Sequence, residues 1–201
     1  VGRQISNLYI ARMKNGYTLD SVQVLLTTPD YDWERHGFWV NEGPYLLKHD
    51  GKLFLTYDKD AANHAYVYGM DGKEILEIEL PSLGSVGFTG DKDDKECFFG
   101  FTSFTIPGAT YKYDMDANTY ELFRAPKVDF NSDEFVTEQV FYPSKDGTKI
   151  PMFLTYKKDL KKDGKNPVFL YGYGGFNISL NPGFSTSRIP FLQNGGIYAQ
   201  V

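Results

Sequence analysis

The sequence has little of what metal binding, disulfide pairing or nucleic-acid binding would require. It contains a single cysteine, Cys97, and three histidines, so it offers no internal disulfide and no His/Cys cluster with the spacing of a metal site. It has 26 acidic against 21 basic residues, a formal net charge of −5, and no basic patch at either end. We therefore expect no metal or organic cofactor, no nucleic-acid partner and no anionic membrane partner.

Long apolar runs are missing as well. No stretch approaches the ~20 apolar residues that a membrane-spanning helix needs, and no charged-then-apolar leader opens the chain. The chain begins at Val1 rather than at Met and ends at Val201 inside an apolar run, so we expect both ends to be cut ends of a longer chain. The compartment of such a parent stays open between cytoplasm and periplasm.

Aromatic residues and glycine, in contrast, are plentiful, with 15 Tyr, 16 Phe and 20 Gly. This composition favours many short strands joined by tight turns, and turn signals such as Asn15-Gly16 and Lys145-Asp146-Gly147 separate the candidates. The candidate strands are residues 7–13, 45–47, 52–57, 65–68, 75–80, 96–101, 109–113, 120–123, 136–142 and 150–156. The sequence thus predicts a mainly β protein built of antiparallel hairpins.

The strands differ in their polarity pattern. Residues 74–80 alternate between polar and apolar, whereas residues 98–101 are apolar throughout and are expected to be buried on both faces, with Cys97 packed in the same core. A β-propeller blade has this mixture, and so does a β-sandwich. After about Ser144 the pattern changes. Two apolar strands, 166–171 and 195–201, flank a candidate helix at 187–193, which indicates the opening of an α/β layer.

Residues 59–201 resemble the prolyl oligopeptidases in several segments that follow the order of that family. The segments that carry the resemblance are 63–68, 83–86, 101–107, 140–153 and the Tyr-Gly-Tyr-Gly-Gly-Phe-Asn run at 171–177. The resemblance implies the last blades of a seven-bladed propeller followed by the first strands of an α/β-hydrolase domain. It also implies cleavage after proline in short peptides by a serine, an aspartate and a histidine, with the propeller restricting access.

Two residues of the 171–177 run match functional positions of that family. Tyr173 matches the tyrosine whose hydroxyl donates to the developing oxyanion, and such a fixed donor stabilises a tetrahedral intermediate where its charge appears. Phe176 matches an apolar wall of the proline pocket. No Gly-x-Ser-x-Gly occurs in the sequence, and all three histidines lie before residue 65, so we expect the triad to be absent and the chain to be inactive as a peptidase.

A second resemblance covers residues 5–57, which are similar to the family 43 glycoside hydrolases. It is carried by residues 6–13, 32–44 and 51–57 and centres on Asn41-Glu42-Gly43-Pro44. In that family the matching glutamate protonates the leaving oxygen of an arabinose or xylose unit, so Glu42 is the candidate general acid of an inverting glycosidase. The second carboxylate that inversion requires cannot be placed in this sequence.

The two resemblances together predict a chimera or fragment joined between Leu53 and Ala61. The predicted parts are a glycosidase-like propeller segment at 1–57, peptidase-like blades at 58–144 and an incomplete hydrolase domain at 145–201. The junction could be designed, natural or an assembly error, and a non-catalytic scaffold is the third functional alternative. Because missing blades would leave strand edges and apolar faces open, we also expect self-association.

Overall fold

The computed structural model describes residues 5–28, 39–40, 45–49, 51–90, 96–176 and 178–201. The first described part consists of short paired strands. Strand β1 (Ile5–Ser6) pairs in parallel with β6 (Trp39–Val40), β2 (Leu8–Ile10) pairs with β5 (Val24–Thr27), and β3 (Met13–Asn15) forms a hairpin with β4 (Thr18–Leu19). The single strand expected over residues 7–13 is therefore split into β2 and the start of β3.

A four-stranded antiparallel sheet follows, which we call blade A. Its strands are β7 (Tyr45–His49), β8 (Lys52–Lys59), β9 (Ala62–Gly69) and β10 (Glu74–Ile78), arranged in chain order. The central hairpin is regular from Lys52, paired with Gly69, to Lys59, paired with Ala62. Its two turn residues, Asp60 and Ala61, both have positive φ (52° and 63°), as a two-residue turn that matches the twist of the strands requires.

A second four-stranded antiparallel sheet, blade B, repeats this arrangement. Its strands are β11 (Ser85–Thr89), β12 (Cys97–Thr102), β13 (Ala109–Asp114) and β14 (Thr119–Arg124), again in chain order. A four-stranded antiparallel meander is the repeating unit of a β-propeller, and two of them follow one another here, so the expectation of a mainly β protein with propeller blades is confirmed.

The third sheet is mixed and contains β15 (Phe135–Pro143), β16 (Lys149–Lys157), β17 (Val168–Tyr171) and β18 (Ile197–Gln200). The spatial order is β15-β16-β18-β17, with the pair β17 and β18 parallel and the other neighbours antiparallel. Parallel strands need a crossover, and the connection between β17 and β18 contains the helix α1 (Ile189–Gln193). This is the opening of an α/β layer that the sequence predicted.

One cluster of buried side chains joins the facing sides of the two blades. Burying a large apolar side chain of this kind contributes about 1.5–3 kcal/mol, so the cluster is the main stabilising feature of the blade pair. Cys97 lies in this cluster, fully buried as expected, and burial raises the pKa of its thiol to about 11. The members of the cluster are Phe54, Ala65, Val67, Ile78, Phe88, Cys97, Phe99, Phe101, Tyr113 and Met115.

The expectation that residues 98–101 are buried on both faces is wrong. Phe99 and Phe101 are buried, but Phe98 is only half-buried and Gly100 is exposed. The reason is that only one side of blade B packs against blade A, whereas its other side is open to solvent in the part of the chain that the structure describes.

A second buried cluster joins the blades to the mixed sheet. Ala62 of blade A and Phe104, in the connection between β12 and β13 of blade B, pack against four residues of the mixed sheet and its crossover. Those four residues are Phe135, Phe153, Leu192 and Tyr198. The ring of Phe104 lies 5.6 Å from that of Phe153 and 5.5 Å from that of Tyr198, centroid to centroid. The blades and the mixed sheet are therefore packed into one body at this point.

Candidate active-site loop

The loop at 172–176 begins where the parallel strand β17 ends. The amide of Val201, which follows β18, donates to the carbonyl of Tyr171 (3.0 Å), so both parallel strands end at the same edge of the sheet. A Cβ at Gly172 would lie 3.8 Å from the Cβ of Val201, an ordinary van der Waals distance. Ligand sites of α/β sheets lie outside the carboxyl ends of the parallel strands, and the loop occupies that position.

Tyr173 and Phe176 both lie on this loop and both reach solvent, with exposed fractions of 48% and 91%. The chain turns sharply between them, since Gly174 and Phe176 have positive φ (63° and 54°). A non-glycine residue in this region costs of order 1–3 kcal/mol, and such residues concentrate at functional sites. The ring of Tyr173 lies over Gly175, where a Cβ would approach it to 3.3 Å. The loop thus presents a phenol and an apolar ring to solvent from a tight backbone turn.

A chain of hydrogen bonds ties this loop to the segment that follows. The amide of Ile178 donates to the carbonyl of Gly175 (3.1 Å) and closes a turn directly after Phe176. The hydroxyl of Ser179 donates to Oδ1 of Asn181 (3.1 Å). We call residues 178–188, which follow the loop, the docking segment.

The docking segment is held on both blades and on the mixed sheet. Its contact with blade A is a hydrogen bond from Nδ2 of Asn181 to Oδ1 of Asp58 (2.7 Å). The contacts with blade B run from Ser85 Oγ to the Pro182 carbonyl (2.8 Å) and from the Phe184 amide to Thr102 Oγ1 (3.3 Å). On the mixed sheet, Nε2 of the buried Gln200 donates to the Leu180 carbonyl (2.8 Å). The segment is therefore fixed at four successive points.

Arg188, at the end of the docking segment, lies between the blades and the mixed sheet. Its guanidinium carbon is 5.2 Å from the ring centroid of Phe104 and 4.6 Å from that of Tyr198, which is a cation–π arrangement on both sides. Nη2 donates to the carbonyl of Gly183, whereas Nη1 is buried with no hydrogen-bond partner among the described residues. Burial lowers the pKa of this guanidinium from its usual value, which still leaves it charged at neutral pH.

A separate depression of about 380 Å³ lies on blade A beside His64 and Glu77, whose Nδ1 and Oε1 are 2.7 Å apart.

Within the described ranges, no three His, Cys, Asp or Glu side chains group as a metal site. Among the same residues, no helix is long and apolar enough to cross a membrane. Glu42, the candidate general acid, lies outside the described residues, as does Asn177.

The sequence predicts Tyr173 and Phe176 as candidates but does not indicate the residues that hold their loop. Asp58 and Asn181 are 123 positions apart, and neither lies in a motif that indicates an interaction. The only available signal was composition: Asn181-Pro182-Gly183 is a turn-forming run directly after the aromatic loop.

Comparisons with known proteins agree with this architecture. The sequence profile of the prolyl oligopeptidase N-terminal β-propeller domain matches residues 7–126. The prolyl endopeptidase of Elizabethkingia miricola is 42% identical over 194 residues, which is 96% of this chain and 28% of that protein. The prolyl endopeptidase of Elizabethkingia meningoseptica is 49% identical over 150 residues, 74% of this chain and 21% of that protein. The chain therefore spans about a quarter of the length of these curated relatives.

Solved structures show the same likeness. The apo structure of prolyl oligopeptidase B from Galerina marginata matches with a TM-score of 0.71 and 30% identity, covering 78% of this chain and 23% of that one. A prolyl endopeptidase structure, solved in a study of inter-domain dynamics in catalysis and specificity, matches with a TM-score of 0.68 and 40% identity. It covers 80% of this chain and 24% of the solved chain. The fold is that of propeller blades joined to a mixed sheet. The chain belongs to the prolyl oligopeptidase family.

The glycoside hydrolase resemblance and the junction between Leu53 and Ala61 find no support in these comparisons. The matched propeller region, 7–126, runs through the predicted junction, and the alignment to the E. miricola enzyme spans both sides of it. In the structure the predicted junction falls inside the regular β8–β9 hairpin of blade A.

Proposed function

We propose that this chain supplies two propeller blades and the first strands of the catalytic sheet to a serine peptidase that cleaves short peptides after proline. The relatives with extensive matches are prolyl endopeptidases, which supports the reaction class.

The expected domain boundary at residue 144 falls in the turn between β15 and β16. Because β15 is already paired into the mixed sheet, we place the boundary instead in the connection at 125–134.

Within that peptidase, the hydroxyl of Tyr173 donates a hydrogen bond to the oxyanion, and Phe176 forms an apolar wall of the proline pocket. The observation that supports these roles is the position of the loop at the carboxyl end of the parallel strand β17, with both side chains exposed on a backbone turned by positive φ at Gly174 and Phe176. A phenol held in this way loses little freedom when a substrate carbonyl arrives, so its hydrogen bond can strengthen as charge develops.

The test is a hydroxyl deletion in a polypeptide that carries this chain together with the rest of the peptidase. We expect Tyr173→Phe to lower kcat on a fluorogenic prolyl peptide by about 10²-fold or more, with a smaller change in KM, because the lost donor acts in the transition state. Tyr171→Phe is the matched control, since it removes the same group from the end of β17. Equal rates for both variants would refute the role of Tyr173.

The 201 residues alone are proposed to lack peptidase activity, because their sequence has no Gly-x-Ser-x-Gly and no histidine after residue 64. They are also proposed to self-associate, since the four residues of β17 are exposed apolar side chains on a sheet edge. Hydrolysis of a prolyl peptide by the purified chain would refute the first proposal, and a monomer at all concentrations in sedimentation would refute the second.

The glycosidase alternative, with Glu42 as general acid, is not advanced as a second function. Glu42 lies outside the described residues, and the comparisons match peptidases instead.

A further inference from the structure

We propose that Asp58, on blade A, is a positioning residue for the 172–176 loop and acts on it through Asn181. The inference rests on the proposed function for the role that it gives to Tyr173, but the physical link between Asp58 and the loop does not depend on that function. It extends the peptidase proposal by giving the propeller a part in placing the oxyanion donor, besides restricting access.

The Asp58 carboxylate is oriented by both blades before it meets the docking segment. Its Oδ1 accepts from Nδ2 of Asn63, which lies across the β8–β9 hairpin. Asn63 is in turn held by two hydrogen bonds at the start of blade B. Its side-chain Oδ1 accepts from the backbone amide of Val86 (2.8 Å), and its backbone amide donates to the carbonyl of Gly84 (3.0 Å). The carboxylate therefore has a defined place at the end of the blades that faces the mixed sheet.

The side chain of Asn181 links Asp58 to Ser179, because its amide has both a donor and an acceptor. A carboxylate only accepts hydrogen bonds, so the Asn181 group that faces Asp58 must be the NH₂, which leaves Oδ1 to accept from the hydroxyl of Ser179. Ser179 is adjacent to Ile178, whose amide closes the turn onto Gly175. The path from Asp58 to the Tyr173 loop thus consists of two hydrogen bonds that meet at Asn181, the peptide link from Ser179 to Ile178, and the hydrogen bond from Ile178 to Gly175.

The other ties of the docking segment attach at residues 180, 182 and 184, one before and two after Asn181. Gln200 holds the carbonyl of Leu180, Ser85 holds that of Pro182, and Thr102 holds the amide of Phe184. Asp58, in contrast, holds the side chain of Asn181, and that side chain also accepts the hydrogen bond of Ser179. We therefore expect the loss of Asp58 to loosen the loop without releasing the whole segment.

The experiment measures amide hydrogen exchange of the full chain in peptides that cover 172–178. We expect Asp58→Ala and Asn181→Ala each to speed exchange there by about fivefold, because each removes the same charge-assisted hydrogen bond. The double variant should exchange no faster than Asn181→Ala alone, since the path from Asp58 to the loop passes through Asn181. Asp58→Asn keeps an acceptor oxygen and should restore exchange close to that of the unsubstituted chain.

Asp71→Ala is the matched control, because Asp71 is an exposed aspartate at the opposite end of blade A whose partner among the described residues is its near neighbour Lys73. The β17–β18 pairing, reported by the Val201 amide, should stay unchanged in all variants. Exchange at 172–178 that is no faster in Asp58→Ala than in Asp71→Ala would overturn the proposal. So would an equal acceleration throughout the mixed sheet, which would indicate general destabilisation.

A kinetic measurement separates this inference from the proposed function. In a polypeptide that carries the rest of the peptidase, Asp58→Ala should lower kcat several-fold with KM nearly unchanged, and Asp58→Asn should recover it. If Tyr173→Phe leaves kcat unchanged while Asp58→Ala still loosens the loop, the oxyanion role fails and the physical link stands. If Tyr173→Phe lowers kcat but Asp58→Ala leaves exchange unchanged, the positioning role fails alone.

Discussion

The two blades and the mixed sheet differ in how completely they bury their strands. In the blades, the facing sides of both sheets share one closed cluster that includes Phe54, Phe88 and Phe99. In the mixed sheet, β16 and β18 contribute buried residues, whereas all four residues of β17 are exposed. Antiparallel blades can be solvated on one side, but a parallel strand with an apolar sequence needs cover on both faces. The comparison shows that the blades are nearer to a self-sufficient unit than the mixed sheet is.

The largest effect is expected in the blade cluster. Phe54 is 0% exposed and its ring lies 5.3 Å from that of Phe88, so Phe54→Ala should lower the free energy of unfolding by about 3–5 kcal/mol. Phe123→Ala, at an exposed position of blade B, is the matched control and should cost less than about 1 kcal/mol. Urea unfolding followed by tryptophan fluorescence measures both, and similar costs for the two variants would contradict a closed blade core.

A matched leucine pair tests the same contrast around the mixed sheet. Leu192 is buried in the cluster that joins α1 to the blades, so Leu192→Ala should cost about 2–4 kcal/mol. Leu170, on β17, is 65% exposed, and Leu170→Ala should cost less than about 1 kcal/mol. A large cost at Leu170 would mean that β17 is covered in solution, for instance by a second copy of the chain.

The exposed strand also predicts a change in association rather than in stability. Leu170→Lys places a charge on the apolar edge strand, which natural proteins use to prevent pairing between sheet edges. We expect the variant to shift the 201-residue chain toward monomer in sedimentation velocity, whereas Lys145→Leu, in a turn away from this edge, should not. An unchanged association state would show that the contact uses another surface.

The smallest effect is a pH dependence in the turn between β15 and β16. Asp146 accepts hydrogen bonds from the hydroxyl of Ser144 and the amide of Thr148, which lower the pKa of its carboxyl to about 2. Since the folded pKa lies below the unfolded one, the stabilisation is present above about pH 4 and is lost as the pH falls toward 2. Asp146→Ala should therefore be less stable than the unsubstituted chain at pH 7 and equal to it near pH 2. A difference between their unfolding midpoints that is the same at both pH values would contradict this.

The blades were predictable from local patterns because their strands pair with sequence neighbours. The turn at Asp71-Gly72 and the alternation at 74–80 predict a hairpin whose partner strand is adjacent in the chain. The predicted junction, which the comparisons do not support, arose for the same reason. Residues 52–57 have a period and polarity that suit a propeller strand of either family, so a short local likeness could not separate the two families. The family assignment required a match over the longer span 7–126.

Composition, turn signals and the Tyr-Gly-Tyr-Gly-Gly-Phe motif were enough to establish a mainly β chain, its peptidase resemblance, and Tyr173 and Phe176 as candidates. These features depend on residues that are close in the sequence, where hydrogen bonding and side-chain alternation follow directly from residue type. The one-sided burial of β12, the order of the mixed sheet and the Asp58–Asn181 contact were decided by the tertiary structure. Each depends on which distant surfaces pack together, and a pairing across 123 positions leaves no local pattern to read.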